Sequence, residues 1–234
     1  MKVRQEPRTP RNECTSLRIG VVSDTHGFFD PLLAKVLEGV EAILHGGDIG
    51  SLAVLDALRQ IATVHAVQGN VDSPVLGLPH SFTRRFDGLQ IEMRHILPAL
   101  QSQLEEWARN SVLSKAQAAR RDVFLKSFDP TTRVVIFGHS HEPCLLVLGG
   151  KLFFNPGSAG KSGSRCLGVA ACWRSQADAS RRQLSPWSVT MINYRAVSSG
   201  IQSSWNFNDI EKDQARATDR SHGGSGCARP HREV

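Results

Sequence analysis

The chain has few cysteines, no excess of glycine or proline, and no long apolar run. Its 234 residues include five cysteines with no C-x-x-C pair, so neither a disulfide framework nor a cysteine-based zinc motif is indicated. With 20 glycines and 11 prolines, the composition is unlike that of collagen or of low-complexity chains. No uncharged apolar stretch is long enough to cross a bilayer, and residues 1–16 lack the apolar core of a secretory signal. We therefore expect a soluble, cytoplasmic protein with no membrane partner.

The excess of basic residues lies mainly toward the two ends of the chain. Lys and Arg number 28 against 22 Asp and Glu, which gives a net charge of +6 and a pI near 9.4. Such a basic balance suits nucleic acid, but binding requires Lys and Arg clustered on one surface. The segment 21–174 is nearly neutral and its basic residues are scattered. The charge pattern therefore disfavours a nucleic-acid partner.

Short apolar runs alternate with helical segments in the first third of the chain. Three buried strands are predicted from β-branched and apolar runs, over residues 17–22, 42–44 and 63–67. Asp30 and Pro31 supply an N-cap and a first-turn proline for one intervening helix, and Ser51 caps the other. Alternation of strand and helix predicts parallel pairing, with helices covering the sheet.

The later part of the chain has the pattern of hairpins. An Asp87-Gly88 turn separates two short extended runs, which is typical of a β-hairpin. The glycine-free segment 98–128 predicts one or two helices. Further strands are predicted over residues 134–137, 145–148, 152–154, 167–173 and 189–194. Together these elements indicate an α/β (α+β) fold with mixed parallel and antiparallel sheets.

The composition divides the chain into one domain and two tails. We predict a flexible basic tail over residues 1–16 and a single domain over 17–195, with a helical insertion at about 98–128. Residues 196–234 are polar and end in a Ser/Gly-rich stretch, so a disordered tail is predicted. The role of the insertion is left open.

Side chains that can bind metal ions follow directly after the predicted strands. They are Asp24 and His26, Asp48, Asn70, His95, and His139 with His141. Because ligands bind at the carboxyl ends of strands in open α/β sheets, these seven side chains are expected to converge on one crevice.

Two carboxylates, one amide and four imidazoles exceed the needs of one tetrahedral zinc ion and suit two cations. The mixed oxygen and nitrogen set favours Mn²⁺, Fe, Zn²⁺ or Co²⁺ over Ca²⁺ or Mg²⁺. Two cations about 3.5–4 Å apart can share a carboxylate and a water whose pKa falls toward neutrality. The chemistry that fits is hydrolysis at phosphorus.

Six motifs, taken in their order, resemble those of the calcineurin-like metallophosphoesterases, most closely the small bacterial and archaeal phosphodiesterases. They are Ser23-Asp24-Thr25-His26-Gly27, His45-Gly46-Gly47-Asp48, Gly69-Asn70-Val71-Asp72, His95, Gly138-His139-Ser140-His141 and Asn155-Pro156-Gly157-Ser158. The resemblance spans roughly residues 17–158, and the fold of this family is shared by the small subunit of the retromer complex. It implies a β-sandwich flanked by helices.

The resemblance also implies a role for each ligand and a reaction. Asp24, His26 and His141 would hold one metal ion. Asn70, His95 and His139 would hold the other, and Asp48 would bridge the two. Two divalent ions are implied, with Mn²⁺ favoured and Zn²⁺, Ni²⁺, Fe or Co²⁺ as alternatives. Hydroxide between them would attack the phosphorus of a small phosphate ester, with Asp48, Asn70 and His139 central to catalysis. Asn155 and Ser158 would support the ligands.

Several positions depart from the family pattern or have two interpretations. Val71 stands where many members have a histidine that can protonate the leaving group, so substrates with good leaving groups are favoured. Ile96 follows His95 where the family usually has glycine. Asp72 either orients a ligand histidine or caps a turn. His45 is either a partner of the ligands or a buried structural histidine, and it is left out of the ligand set.

The leading hypothesis is a dinuclear metal-dependent phosphodiesterase, and two alternatives stand beside it. One is a protein-binding scaffold with little catalysis, like the small retromer subunit, although the intact ligand set argues against it. The other is a nuclease, which the basic pI supports and the near-neutral central segment does not. The sequence leaves open the physiological substrate and whether the protein is a homo-oligomer.

Overall fold

A computed structural model describes residues 17–110 and 112–161 of the protein, together with three later strands. Its strands are β1 (Arg18–Val22), β2 (Ala42–His45), β3 (Thr63–Ala66), β4 (Ser81–Phe86), β5 (Leu89–Arg94), β6 (Val134–Ile136), β7 (Cys144–Leu148), β8 (Lys151–Asn155), β9 (Val169–Arg174), β10 (Ser188–Asn193) and β11 (Gln202–Asn206). The helices are α1 (Pro31–Val36), α2 (Leu52–Arg59), α3 (Gln101–Arg109) and α4 (Lys115–Lys126), with a 3₁₀ turn at Pro74–Leu76.

The strands form two sheets of mixed direction, as the sequence predicts. The first sheet has six strands in the order β11-β10-β9-β1-β2-β3. Strands β1, β2 and β3 are parallel, with Ile19 opposite Ala42, and the remaining neighbours are antiparallel. The second sheet has five strands in the order β4-β5-β6-β8-β7. Here β6 is parallel to both β5 and β8, while the β4–β5 and β7–β8 pairs are antiparallel.

The two sheets pack face to face, and helices cover their outer faces. One core cluster joins Ile19 and Leu44 of the first sheet to Ile136 and Phe154 of the second. Since side chains alternate along a strand, the neighbouring residues face outward. Outward residues of the first sheet pack with α1 and α2, and those of the second sheet pack with α3 and α4. The predicted β-sandwich flanked by helices is confirmed.

The first residues of α1 and α2 test the N-caps predicted from the sequence. The Asp30 side chain accepts a hydrogen bond from the backbone N–H of Leu32, as predicted for the N-cap of α1. Ser51 occupies the N-cap position of α2 but makes no side-chain cap bond there, so the prediction that it caps this helix is wrong in its mechanism. The segment 98–128, predicted to be helical, contains α3 and α4, which bury Leu104 and Phe124 against the second sheet.

Strand β11 lies within the range 196–234 that the sequence analysis assigns to a polar tail. It pairs with β10 in antiparallel register, with Ser188 opposite Asn206. The first sheet therefore continues past the predicted domain boundary at residue 195. The range 1–16 and the rest of the predicted C-terminal tail lie outside the described residues.

Candidate metal centre

The seven predicted ligands all lie in loops that follow strands. Asp24 and His26 follow β1, Asp48 follows β2, and Asn70 follows β3 in the first sheet. His95 follows β5, and the pair His139 and His141 follows β6 in the second sheet. Loops from both sheets therefore meet at one end of the sandwich, and their side chains form two adjoining groups.

The first group brings together Asp24, His26, Asp48 and His141. One potential ligand atom from each lies within 4.8 Å of all the others. The Nε2 atoms of His26 and His141 are 3.0 Å apart, and Nε2 of His141 is 3.2 Å from Oδ1 of Asp24. The side chains of His26 and His141 are 34% and 31% exposed, so solvent and small ligands reach this group.

The second group brings together Asn70, His95 and His139. Oδ1 of Asn70 is 3.0 Å from Nε2 of His95 and 2.8 Å from Nδ1 of His139. The other ring nitrogen of His95, Nδ1, lies 2.8 Å from the carbonyl oxygen of Gly46. Because a carbonyl can only accept, Nδ1 carries a proton, so Nε2 is the ring nitrogen left to bind a cation.

Asp48 stands between the two groups. Its Oδ2 atom is 3.3 Å from Nε2 of His95 and 3.9 Å from Nε2 of His26. Its Oδ1 atom accepts a hydrogen bond from the backbone N–H of Val71 at 3.0 Å. A hydrogen bond therefore fixes one carboxylate oxygen, while the other oxygen faces both groups of potential metal ligands.

The oxygen and nitrogen atoms of the two groups have the chemistry of ligands for divalent cations. Oδ1 of Asn70 and Oδ2 of Asp48 both face Nε2 of His95, at 3.0 and 3.3 Å, and neither oxygen can donate a hydrogen bond. Burial also raises the pKa of the Asp24 carboxyl, against the hydrogen bond that Ser23 donates to it at 2.5 Å and the neighbouring His95 and His141. A bound cation among mixed oxygen and nitrogen ligands would satisfy all of these groups.

Five of the seven side chains stand on backbone in the left-handed region. These residues are Asp24 (φ 55°), His26 (φ 48°), Asp48 (φ 53°), His139 (φ 71°) and His141 (φ 58°). In the part of the chain that the structure describes, Asp87 of the β4–β5 turn is the other such non-glycine residue. Left-handed backbone is unfavourable for residues with a Cβ atom, and such strain concentrates at functional sites.

The strain at His26 leads to a stability prediction. We expect His26→Gly to be more stable than His26→Ala by about 0.5–1 kcal/mol. Relief of about 1–2 kcal/mol of left-handed strain exceeds the extra backbone entropy of glycine, about 0.5–1 kcal/mol. Both variants lack the imidazole, so urea unfolding in the presence of a chelator isolates the backbone effect. An alanine variant at least as stable as the glycine variant would show that this loop relaxes out of the left-handed region.

Asn155 and Ser158 bond to backbone and side-chain groups next to the predicted ligands. The Asn155 amide donates to the carbonyl oxygen of Gly138 at 3.0 Å and to the Ser140 hydroxyl at 2.9 Å, on either side of His139. The Ser158 hydroxyl donates to the carbonyl oxygen of Asp24 at 2.8 Å. Both side chains therefore hold backbone that carries ligands.

Two further side chains lie beside these loops: Ser140, to which sequence reasoning gave no role, and His45, for which it left two interpretations. The Ser140 hydroxyl donates to Oε1 of Gln101 at 2.7 Å, which connects the first residue of α3 to the His139 loop. His45 is fully buried, and its Nε2 lies 3.0 Å from the Thr25 hydroxyl. Its Nδ1 accepts from the backbone N–H of Gly47 at 3.2 Å. The Ser140–Gln101 and His45–Thr25 contacts join segments far apart in the chain, so no local signal could have revealed them. The bond between His45 and Gly47 is local.

Comparison with known proteins places this arrangement in a family. A model of the calcineurin-like phosphoesterase superfamily domain matches residues 17–172. The chain belongs to this superfamily. Its resemblance to that family, stated above from six motifs, is thereby confirmed. In addition, no helix among the described residues has the length and apolar character needed to cross a membrane.

Two archaeal relatives carry the name "probable metallophosphoesterase". The one from Methanocaldococcus jannaschii is 27% identical over 148 residues, which cover 61% of this chain and 68% of the relative. The one from Methanothermobacter thermautotrophicus is 27% identical over 146 residues, covering 60% of this chain and 76% of the relative. These relatives support a phosphoesterase of the same family.

Solved structures share the fold at lower identity. Vps29 from Entamoeba histolytica, solved with Zn²⁺, superposes with a TM-score of 0.55 at 19% identity, covering 81% of this chain and 98% of that chain. A predicted phosphoesterase from Streptococcus pneumoniae gives 0.50 at 21%, covering 82% and 98%. Vps29 from Chaetomium thermophilum, solved with a cyclic peptide, gives 0.53 at 18%, covering 82% and 94%. At these identities the likeness establishes the fold alone.

Proposed function

We propose that this phosphoesterase is a dinuclear metal-dependent phosphodiesterase that acts on a small phosphate ester. The observation that carries the proposal is the position of Asp48, whose Oδ2 atom faces His26 on one side and His95 on the other. A carboxylate oxygen shared by two groups of ligands is what a two-metal hydrolytic centre requires.

Each residue then has a role in holding cations. Asp24, His26 and His141 would hold one divalent ion, Asn70, His95 and His139 the other, and Asp48 would contact both. When bound, the two ions supply Lewis-acid activation of water and of the phosphoryl oxygens. Mn²⁺ is our first choice for this mixed ligand set, with Zn²⁺, Ni²⁺, Fe and Co²⁺ as alternatives.

The residue after Asn70 determines which leaving groups can depart. Val71 has 56% of its surface exposed and its backbone N–H is bonded to Asp48. An aliphatic side chain at this position cannot donate a proton, whereas a positioned acid contributes about 10²–10⁴-fold to such reactions. We therefore propose that the enzyme prefers esters whose leaving groups depart without protonation.

Hydrolysis of chromogenic esters tests this function. Metal-stripped protein is reconstituted with Mn²⁺, Zn²⁺, Ni²⁺ or Mg²⁺ and assayed with bis(p-nitrophenyl) phosphate, p-nitrophenyl phosphate and methyl p-nitrophenyl phosphate. We expect metal-dependent release of p-nitrophenolate from both diesters, faster than from the monoester, with no release of methanol from the mixed diester. His139→Ala should abolish this turnover. Folded protein that binds two ions and hydrolyses none of the esters would overturn the proposal.

A protein-binding scaffold, like the small retromer subunit, is the second candidate. The observation that favours it is the fold shared with Vps29, including the structure solved with a cyclic peptide. The intact set of seven potential ligands favours catalysis instead. The two candidates differ in a measurable way, because a scaffold would show no metal-dependent turnover and the same partner binding before and after His139→Ala.

A further inference from the structure

Asp72 is a buried carboxylate that joins two loops of the metal centre. It is 6% exposed. Its Oδ1 accepts from the backbone N–H of Gly50 at 2.7 Å, and its Oδ2 accepts from that of Gly69 at 2.9 Å. The backbone N–H of Ile49 is a further donor.

The three donors belong to the loops that carry Asp48 and Asn70. Ile49 and Gly50 immediately follow Asp48, and Gly69 immediately precedes Asn70. The carboxylate of Asp72 therefore connects the loop after β2 to the loop after β3. Asp72 and Gly50 are 22 positions apart in the chain, so this connection is tertiary and not a local turn.

The two loops approach each other as closely as backbone allows. A Cβ atom on Gly69 would lie only 2.1 Å from the backbone nitrogen of Asp48. On the other side of Asn70, the N–H of Val71 donates to Oδ1 of Asp48. The position of Asn70 relative to Asp48 is thus set by contacts at both neighbouring residues, and Asp72 connects the loop ends.

The first group of ligands has its own attachment to Asp48. The backbone N–H of His26 donates to the carbonyl oxygen of Asp48 at 2.9 Å, and that of Gly27 donates to the carbonyl oxygen of Ile49 at 2.7 Å. These bonds join the loop after β1 to the loop after β2 without Asp72. Loss of the Asp72 carboxylate would therefore weaken the attachment of the Asn70 loop, leaving it with the bond from Val71 to Asp48, and would leave the first group in place.

We propose that Asp72 is a positioning residue that sets Asn70 against Asp48 and so assembles the second of the two cation sites. This inference rests on the proposed dinuclear function. It assigns to Asp72 neither of the roles considered from the sequence alone, since its side chain bonds to the backbone of two separate loops.

The test compares Asp72→Asn with a matched carboxylate elsewhere. In Asp72→Asn an NH₂ group replaces one of the two carboxylate oxygens and faces a backbone N–H. Because neither group can accept, at least one of the connecting hydrogen bonds is lost. Asp129→Asn is the control, because Asp129 also accepts a backbone N–H, that of Thr131 at 2.7 Å, but lies before β6 and away from the ligand loops. Calorimetric titration with Mn²⁺ measures both affinities, and electron paramagnetic resonance distinguishes coupled Mn²⁺ pairs from single ions.

We expect the wild type and Asp129→Asn to bind two ions and to give the spectrum of a coupled pair. Asp72→Asn should keep the tighter ion and bind the second about 10–100-fold more weakly, as is typical when a group supporting a metal ligand is lost. Its spectrum should become that of isolated Mn²⁺. Asp72→Ser removes the carboxylate without aiming an amide N–H at a backbone donor. It should also weaken the second ion selectively and serves as the readout if the asparagine variant does not fold.

The outcomes separate this inference from the proposed function. Equal affinity for the second ion in the wild type and in both Asp72 variants would overturn the positioning role while leaving the dinuclear enzyme intact. Equal weakening of both ions would also overturn it, because the effect would then be general. A wild type that binds fewer than two ions would overturn the dinuclear function itself.

Discussion

Asp48→Asn is expected to reduce metal-dependent diester hydrolysis by about a thousandfold or more and to remove at least one bound ion, without unfolding the protein. A thousandfold loss corresponds to roughly 4 kcal/mol of transition-state stabilisation, within the several kcal/mol that a metal centre contributes. The substitution removes the single negative charge that both groups of ligands face, since Oδ2 lies between His95 and His26.

The fold should tolerate this change for two reasons. Asparagine is one of the few residues that accept left-handed backbone readily, as position 48 requires with φ 53°. Its carbonyl oxygen can keep the hydrogen bond from the N–H of Val71 that Oδ1 of Asp48 now accepts. The amide nitrogen then faces the imidazoles, and it cannot bind a cation.

Metal content by mass spectrometry and initial rates with bis(p-nitrophenyl) phosphate are the measurements. Asp56→Asn provides a matched control, because Asp56 is an exposed carboxylate paired with Arg59 on α2. It should keep both metals and full activity. If Asp48→Asn also retained two ions and the wild-type rate, the shared-carboxylate assignment would be wrong.

The convergence of the seven candidate ligands could be predicted from sequence because strand ends are visible there. Apolar runs stop abruptly at Asp24 and Asp48, and β-sheet geometry brings the carboxyl ends of neighbouring parallel strands to one edge. The two strands of the β4–β5 hairpin were equally clear from the Asp87-Gly88 turn. Such signals are local, and each requires only a few consecutive residues.

The contacts between loops could not be predicted, because each joins residues far apart in the chain. Asp72 within Gly69-Asn70-Val71-Asp72 has the composition of a turn, and its bond to Gly69 is local. Its bond to Gly50 depends on how the loop after β2 packs, which the local sequence does not show. Strand β11, Gln202–Asn206, has a polar sequence without apolar alternation. It joins the sheet through backbone pairing with β10, and β-propensity in such an edge strand depends on its neighbours.

His45 is expected to make the protein sensitive to mild acid. The side chain is fully buried, and this burial lowers its pKa from 6.5 to about 3. The unfolded chain therefore binds a proton at His45 as the pH falls below about 6.5, whereas the folded chain does not until about pH 3. Between these values acid favours the unfolded chain, so stability falls as the pH falls.

The hydrogen bonds of His45 explain why the folded protein resists protonation there. Nδ1 accepts from the N–H of Gly47, which leaves the proton on Nε2 facing the Thr25 hydroxyl. The Thr25 hydroxyl in turn donates to the carbonyl oxygen of Ile49. A second proton on the ring would break the bond to Gly47 and place a buried charge next to the loop that carries Asp48.

His45→Gln tests this account, because glutamine does not titrate and its amide can still donate to Thr25. We expect the wild-type free energy of unfolding to fall by roughly 2 kcal/mol more than that of the variant between pH 7 and pH 5, as linkage requires for one such group. Urea unfolding of both proteins in chelator at several pH values measures the difference and cancels the contributions of other groups. Parallel curves would mean that His45 takes up a proton equally in the folded and unfolded chains. The loop between β2 and α2 would then have to open to solvent in the native state, and the bonds to Thr25 and Gly47 would not persist in acid.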